Sequence, residues 1–438
     1  MKHNIAEKGN KYQIESFTGR NLTRFGGAGL VRRFFDRLDI TDYMAVLGTE
    51  KRKRDGYSSA DICLSMLYGL MMGIFRPSHM MELAADKVFQ KMVSLDRFPS
   101  QSTISRFLGK ITVHKAQHLE EINRQLLNRV RNGFRGMREI TLDLDSHVIP
   151  VFGSQHRARR GYNPKKRGRK SYHPLLCFLG ETRDCLGGLM RPGDRTNHHV
   201  ENFLKNILRR FPGKSRIRVR ADSGFFSWDF LSWLEKRGIE YYVVVPQHSW
   251  VQRLILGISS WHEIDGKRET GEEFLFRGRN KQVRLVVIRK RVRPNEEPRK
   301  QLKLLGVQEE LYDYQVIATN SSLSGEDVWH CYNKRACCEN FIKENIYDFG
   351  LDKSITRNWA GSRLYFDLVI LAYNLMNWFK EMVLGCDSKK QMAGTIRWKL
   401  FWIPARLVPT GGRMILRLAE WWNYKDQFHH AQQKLLTA

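Results

Sequence analysis

The sequence predicts an α/β fold in which a mixed β-sheet is flanked by helical N- and C-terminal regions. Two patterns of apolar residues, one on each side of about residue 135, support this prediction. Up to about residue 135 apolar side chains recur at helical spacing, and from residue 138 short β-branched runs alternate with amphipathic helices. Such alternation is typical of an α/β layer. A further β-rich stretch at 261–311 predicts an insertion within that layer.

The N-terminal region is predicted to be helical. Apolar residues lie at helical spacing in 30–38 and in 62–70, and Ser100 is the predicted N-cap of a helix with Ile104 and Leu108 on one side. That helix fits a role in reading a DNA groove and a role in core packing about equally well. No complete helix-turn-helix spacing is present to decide between them.

The central region supplies the strands of the layer. Helices are predicted at 198–211, 227–238 and 325–346, and apolar C-terminal helices at 367–380 and 398–408. The predicted strands run, in chain order, over 139–153 (a strand pair), 171–182, 185–194, 216–226 (ending in a turn), 239–247, 272–278, 282–292, 301–307 and 314–320.

Charge narrows the class of partner. The 438 residues hold 74 Lys and Arg against 45 Asp and Glu, which gives a formal net charge of +29. Because 42% of the residues are hydrophobic, the chain is a folded protein and not a charged disordered tail. A large positive field on a folded protein favours a polyanionic partner, and nucleic acid before a membrane surface.

Several other classes are disfavoured. The N-terminal residues lack the apolar core of a secretory signal, and the longest apolar stretch, 62–75, is too short to span a bilayer. Seven Cys without a CxxC pair disfavour a disulfide framework and a structural zinc site, and indicate a reducing cytoplasm. Neither GxGxxG nor GxxxxGK[ST] occurs, which disfavours nucleotide-driven chemistry. We therefore expect a cytoplasmic protein with no membrane partner.

Three acidic residues occupy positions that suit catalysis. Asp145 lies near the end of an apolar strand, Asp222 ends a strand before a Ser-Gly turn, and Glu339 lies in a predicted helix. The carboxyl ends of strands are where α/β sheets form their sites. Carboxylates from two strand ends and a helix are hard oxygen ligands that suit a pair of Mg²⁺ ions in phosphoryl transfer. For any one Asp after a strand, the alternative is a turn cap.

The predicted helix around Glu339 adds to this set. At 100° per residue, Tyr332, Arg335, Glu339 and Lys343 fall within an arc of roughly 80° on one face. An acid flanked by two cations and a phenol suits a metal beside a phosphate backbone. The alternative is a solvated face of i,i+4 ion pairs.

Four strings in the sequence resemble bacterial insertion-sequence transposases of the DDE type. They are LDLDSH, GYNPKKRGRKSYHPLL, RADSGFF, and the Tyr-x-x-Arg-x-x-x-Glu pattern at Tyr332, Arg335 and Glu339. The group with the greatest resemblance is the one numbered thirteen-eighty, and the likeness runs from about residue 20 to about residue 380. The resemblance implies an RNase H-like core. It also implies that Asp145, Asp222 and Glu339 bind Mg²⁺ or Mn²⁺, and that Tyr332 and Arg335 support the DNA ends.

Two departures from the family pattern leave alternatives open. The family commonly has a Lys seven residues after the Glu, where this chain has Ile346, and Lys343 on the same helix face is the candidate replacement. Asp143 lies on the same strand face as Asp145 and is the alternate first acid. We prefer Asp145 because it is nearer the strand end.

Basic runs are predicted to hold DNA. The densest run lies between two core strands and is expected to contact phosphates without reading sequence: Lys165, Lys166, Arg167, Arg169 and Lys170. The runs at 51–54 and 289–293 are expected to do likewise, and a solvated surface loop is the alternative. In the insertion, Trp250 and Trp261 fit either base stacking at a DNA end or core packing.

We therefore predict a metal-dependent DNA transposase. Its domains are a helical DNA-end-binding domain at 1–135, a catalytic core at 136–380 with the β-rich insertion at about 249–311, and a C-terminal helical region at 381–438. Its partners are double-stranded DNA, namely the terminal inverted repeats of its element and target DNA, held by a homodimer. The alternatives are a metal-dependent DNA nuclease without strand transfer and a catalytically inactive DNA-binding protein.

Overall fold

A computed structural model of the chain describes residues 17–48, 56–163, 166–195, 199–213, 215–277, 281–292 and 312–437. By compactness the chain forms two units. The first combines residues 1–107 with 378–438, and the second spans 108–377.

Helices make up most of the N-terminal part of the chain, as predicted. The first of the longer ones begins with a reciprocal capping box, in which Ser58 and Asp61 each accept a hydrogen bond from the other's backbone N–H. Ser100 accepts from the backbone N–H of Thr103, which confirms it as a helix cap. The described elements are β1 (Leu22–Thr23), α1 (Ala28–Arg37), α2 (Ile40–Ala45), α3 (Ser59–Met71), α4 (Met80–Ala85), α5 (Lys87–Met92), α6 (Gln101–Lys110) and α7 (Val113–Val130).

The second unit continues with strands and helices in the alternation that the sequence predicted. In its described part the strands are β2 (Glu139–Ser146), β3 (Ile149–Pro150), β4 (Arg159–Arg160), β5 (Lys170–Tyr172), β6 (Leu175–Leu179), β7 (Cys185–Leu189), β8 (Arg216–Ala221), β9 (Glu240–Val244), β10 (His262–Asp265), β11 (Arg268–Arg277), β12 (Lys281–Arg291) and β13 (Tyr312–Thr319). The helices are α8 (Val200–Leu208), α9 (Trp228–Glu235), α10 (Ser249–Leu256), α11 (Gly325–Asn333), α12 (Ala336–Phe349) and α13 (Trp359–Phe379).

The C-terminal region is only partly helical, which corrects the prediction. It contains α14 (Ala393–Ile396), then β14 (Ala405–Thr410) and β15 (Arg413–Leu418), and ends with α15 (Lys425–Leu436). Gly411 and Gly412, at φ +55° and +74°, form the two-residue turn between the strands. Two consecutive positive φ angles suit the tight turns of β-hairpins and favour glycine at both positions. Short 3₁₀ or π turns lie at 132–134, 223–225, 380–384, 386–390 and 397–401.

Nine strands form one mixed sheet in the order β10-β11-β12-β13-β9-β8-β2-β6-β7. Strand β8 pairs in parallel with both β2 and β9, and the other pairings in this sheet are antiparallel. Strands β2 and β6 are buried along almost their whole length. The parallel strands therefore lie in the middle of the sheet, with their carboxyl ends at the same edge.

The stretch predicted as a β-rich insertion contains strands β10, β11 and β12, which belong to the main sheet. Strands β11 and β12 form a long hairpin, and β12 pairs along β13, so that the insertion extends the main sheet. The region opens with helix α10, and the strand predicted at 301–307 lies outside the described residues.

Helix α7 lies in the second unit, although the predicted boundary at 135 placed it with the N-terminal region. It packs against β7, and the adjoining Arg131 forms an ion pair with the buried Asp184 (N–O 2.5 Å). In the described part of the chain, no helix combines the length and apolar character needed to cross a membrane.

Candidate active site

Two of the three predicted acids lie at the carboxyl ends of neighbouring parallel strands. Strands β2 and β8 pair in register with Leu144 opposite Ala221. Asp145 and Asp222 are the next residues of each strand, so the parallel pairing brings them side by side. The backbone N–H of Ser146 donates to Asp145 Oδ1 (2.7 Å), and that of Gly224 donates to Asp222 Oδ1 (2.9 Å).

Arg335 joins the two acids. One of its terminal nitrogens lies 3.2 Å from Asp145 Oδ1 and 3.8 Å from Asp222 Oδ2, and it also donates to the carbonyl of Leu144 (3.2 Å). The Arg335 residue is only 5% exposed. A buried guanidinium is retained at low cost where carboxylates and carbonyls satisfy it, and here they belong to the candidate site itself.

Burial raises the pKa of Asp145 to about 6. Arg335 opposes this rise, while the negative charges of Asp222 and Glu339 add to it. Glu339 lies on α12 with its side chain exposed, within electrostatic reach of Asp145. A buried acid surrounded by two others is favoured in its charged form only if a cation compensates it.

This donor set fits a divalent cation. Carboxylate oxygens are the ligands that Mg²⁺ and Mn²⁺ prefer, and a bound cation would stabilise the charged form of Asp145, which burial disfavours. Within the described residues, no three His, Cys, Asp or Glu side chains are already arranged to hold a metal ion. Asp145 and Asp222 lie side by side at the sheet edge, and in a metal complex Glu339 would join them from α12.

Asp143, the alternate first acid, serves a different purpose. Both of its oxygens accept from the Arg220 guanidinium (2.6 and 2.7 Å), and Arg220 also donates to the carbonyl of Cys331 (2.8 Å). Asp143 is 1% exposed. A carboxylate engaged by both oxygens and closed to solvent has no free lone pair directed at a substrate, so the geometry favours Asp145 as the first acid.

We expect Arg220→Met to lower the free energy of unfolding by about 3–5 kcal/mol, because it leaves the Asp143 carboxylate buried without a cation. Removing both charges together, as Asp143→Leu with Arg220→Met, should restore most of that loss. Urea unfolding of the two proteins and the wild type measures both effects. A single substitution that costs less than about 1 kcal/mol would contradict a structural role for the pair.

The four residues predicted to share one helix face, Tyr332, Arg335, Glu339 and Lys343, differ in burial in the structure. The predicted helix from 325 to 346 is interrupted at 334–335, between α11 and α12. Tyr332 and Arg335 are buried, whereas Glu339 and Lys343 are exposed. Tyr332 packs in an apolar cluster that includes residues of β12, and burial raises its pKa to about 12. The other members of the cluster are Tyr242, Val286, Ile288, Ile317, Val328 and Trp329.

The burial of Tyr332 and Arg335 and the exposure of Lys343 bear on the roles predicted for these side chains. Direct DNA contact by Tyr332 or Arg335 stays a prediction, and the geometry favours positioning of the acids by Arg335. Lys343 is exposed on α12 and Ile346 is partly buried. Of the two positions, only Lys343 offers a cation to solvent on the helix that carries Glu339.

The basic run borders the same site. A cleft of about 670 Å³ has Asp222 and Lys166 in its wall, together with Ser146, His147, Val148, Pro150, Tyr162, Asn163, His173, Ser223, Gly224 and Pro246. Four of the five predicted cations are exposed: Lys166, Arg167, Arg169 and Lys170. Lys165 and the run at 51–54 lie outside the described residues. The cations lie 10 residues or fewer along the chain from the cleft wall at Tyr162.

An aromatic residue that the sequence analysis did not single out organises this run. The ring of Phe152 is 68% exposed, and Lys166 and Arg169 lie over it at 4.4 and 4.5 Å. Cation–π contacts hold both charges against this ring. The sequence offered no signal for this, because the short strand β4 lies between Phe152 and the run along the chain.

His173 was also missed. It is 5% exposed, and its Nε2 lies 3.1 Å from the hydroxyl of Ser146, next to Asp145. Burial lowers its pKa to about 4, so the imidazole is neutral at physiological pH. A neutral imidazole in this place orients the Ser146 hydroxyl without adding charge to the acid site.

The two tryptophans of the insertion are half-buried and have aromatic or cationic neighbours. The Trp250 ring lies 6.0 Å from that of Trp228, and Arg289 lies 4.1 Å over Trp261. Base stacking by either side chain stays a prediction.

Comparison with known proteins identifies the family. A family model described as transposase DDE domain group 1 matches residues 7–438. No curated protein matches the sequence. Among solved structures, a piggyBac transposase in a synaptic complex with hairpin DNA is similar at 14% identity and a TM-score of 0.47, over 96% of this chain and 85% of that one. Because the family model covers nearly the whole chain, the protein belongs to the DDE transposases and is an enzyme of DNA transposition.

Proposed function

We propose that this chain is a cut-and-paste DNA transposase of the bacterial insertion-sequence group numbered thirteen-eighty. The observation that carries the proposal is the pairing of Asp145 with Asp222 at the ends of adjacent parallel strands, with Arg335 between them. The five strands β7-β6-β2-β8-β9 that present these acids form the part of the sheet we propose as the RNase H-like core.

In this proposal Asp145, Asp222 and Glu339 hold Mg²⁺ or Mn²⁺. When bound, such ions activate an attacking oxygen and stabilise a leaving one in phosphodiester chemistry. The reaction is hydrolysis of a phosphodiester at the element's end, followed by in-line attack of the freed 3′-hydroxyl on another strand. Arg335 fixes the positions of Asp145 and Asp222 and limits their mutual repulsion.

DNA reaches the acids along the cleft lined by Lys166 and Asp222. The exposed cations of the basic run neutralise phosphates and set the position of the duplex, and they do not read its sequence. The DNA is the terminal inverted repeats of the element and then the target. A homodimer holds two ends at once, and the N-terminal helical region 1–135 binds the repeats.

The test is cleavage and joining of labelled DNA that carries the element's own ends. We expect the wild type to give joined products in Mg²⁺ and none in EDTA, and Asp222→Asn to give neither cleavage nor joining while still binding the DNA ends. Asp352→Asn is the matched control, because it removes one half-buried carboxylate of the same unit that lies outside the candidate site. Cleavage without joining would favour a nuclease, and end binding without cleavage in wild type would leave a DNA-binding protein.

A further inference from the structure

The hairpin of β14 and β15 in the first unit carries charge of a single sign on one face. Its register places Arg406 opposite Arg417 and Thr410 opposite Arg413. Since alternate residues of a strand share a face, these side chains lie together with the Val408–Ile415 pair between them. The face therefore holds three arginines and no acid.

Within the described part of the chain, these arginines have no charged partner. All three are exposed, and among the described residues none of them forms an ion pair. Like charges placed directly opposite each other in a sheet are destabilising. The pair Arg406 and Arg417 thus costs stability in the free protein, and an outside anion would relieve it.

The hairpin β11–β12 of the second unit shows the usual alternative. There Arg289 lies opposite Glu269 in register and forms an ion pair with it (2.5 Å). Arg284 likewise binds Glu272 across the strands. The chain therefore neutralises cross-strand arginines in one hairpin and leaves them uncompensated in the other.

The tip of the β14–β15 hairpin is also exposed and narrow, which suits binding in a groove of a partner. Residues 409–415, which include the Gly411-Gly412 turn, are all exposed, and a side chain added at either glycine would meet open space. A two-stranded ribbon of this kind is narrow enough for the major groove of duplex DNA.

We propose that the β14–β15 hairpin is a DNA-binding ribbon, in which Arg406, Arg413 and Arg417 contact backbone phosphates of duplex DNA. The proposal rests on the proposed function only in taking DNA as the partner, and it does not depend on catalysis. Because arginine contacts to phosphate carry no sequence information, the ribbon adds affinity on any duplex.

A second copy of the chain fits this surface less well. Strand β15 is the edge of its three-stranded sheet and has a free side for pairing. In a two-fold antiparallel pairing centred on Ile415, Arg413 of one copy would lie opposite Arg417 of the other, which adds repulsion. The charge of the face therefore favours a polyanion.

The test measures the salt dependence of binding to a labelled duplex of arbitrary sequence by the full chain. The variant is Arg406→Gln with Arg413→Gln and Arg417→Gln. Each phosphate contact contributes about 0.9 to the slope of log K against log salt, so the variant's slope should be shallower by roughly 2 to 3. Over a fourfold rise in salt, the wild type should lose roughly 40 times more affinity than the variant does.

A matched control removes three charges from the same unit at exposed positions outside the three-stranded sheet: Arg33→Gln, Lys390→Gln and Lys434→Gln. We expect its slope to stay close to that of the wild type. Equal slopes for the hairpin variant and the wild type would overturn the proposal. The proposal would also be overturned if the hairpin variant kept the wild-type slope but no longer formed a dimer in light scattering. That result would show that the hairpin binds a second copy of the chain.

A second variant keeps the test valid if the triple change disturbs folding. Arg417→Glu sets a carboxylate opposite Arg406, so its melting temperature should be equal to or above that of the wild type while DNA binding weakens. A melting temperature at least that of the wild type with undiminished DNA binding would contradict the proposal. Asp222→Asn separates the two claims, because it should lose cleavage and keep the wild-type salt slope.

Discussion

Asp145→Asn is expected to abolish strand cleavage and, without divalent metal, to make the folded chain more stable at neutral pH. Cleavage should fall by roughly four orders of magnitude, the scale of loss when one member of a catalytic unit is removed. The gain in stability follows from burial, which raises the pKa of Asp145 from 3.8 to about 6. At neutral pH the native fold must hold this carboxylate in a charged form that its surroundings disfavour.

The direction with pH follows from proton linkage. Between pH 4 and pH 6 the folded wild type binds more protons at Asp145 than the unfolded chain does, so its stability falls as the pH rises through this range. Asparagine does not titrate. The variant should therefore match the wild type near pH 4 and exceed it above pH 6 by up to about 3 kcal/mol.

Urea unfolding of both proteins between pH 4 and pH 8 in EDTA measures this difference. Asp143→Asn is the matched control on the same strand. Burial raises the pKa of Asp143 as well, but this substitution leaves the buried Arg220 guanidinium without the carboxylate that binds it through both oxygens, so stability should fall. Adding Mg²⁺ or Mn²⁺ should stabilise the wild type and not Asp145→Asn. A variant that loses stability at neutral pH would refute the destabilising charge at Asp145.

The edge of the sheet where the acids lie was predictable from local pattern alone. Apolar strands that end in Asp145 and Asp222 are visible in the sequence, and the carboxyl ends of parallel strands meet at one edge. The choice between Asp143 and Asp145 was open, because both lie on the same strand face. The ion pair of Asp143 with Arg220, which lies 77 residues away on β8, favours Asp145. A pairing between strands that are distant in sequence leaves no signal in the local sequence pattern.

Elements that depend on tertiary contacts were predicted less well. Helical periodicity placed Tyr332 and Arg335 on one face with Glu339, but it could not show that the helix breaks at 334–335 or that burial separates the first two from the third. The sequence predicts an apolar helix at 398–408 within a helical C-terminal region, where the structure has the start of the hairpin at 405–418. Its Gly411-Gly412 pair was a usable turn signal that the apolar run before it outweighed.

We expect Arg335→Gln to lower the free energy of unfolding by about 3–5 kcal/mol at neutral pH, because it removes the cation between two acids. The Asp145 carboxylate would remain buried with Asp222 and Glu339 close by, and its pKa would rise above the wild-type value. Acid conditions that protonate Asp145 should therefore shrink the loss. Unfolding in urea at pH 5 and pH 8 measures both values.

The response to divalent cation tests whether Arg335 serves only to neutralise the acids. If Arg335 only neutralises the acids, Mg²⁺ or Mn²⁺ should stabilise Arg335→Gln more than the wild type, since bound cation replaces the missing charge.

Arg335→Lys keeps the charge but loses the planar fork that reaches Asp145, Asp222 and the Leu144 carbonyl together. It should therefore restore stability and only part of the cleavage rate. Equal stability of Arg335→Gln and wild type at pH 8 would show that the acids do not need this cation, and Arg335 would then act on DNA. Combining Asp145→Asn with Arg335→Gln separates the cases, because Asp145→Asn should stabilise Arg335→Gln by more than it stabilises the wild type only if the two side chains interact.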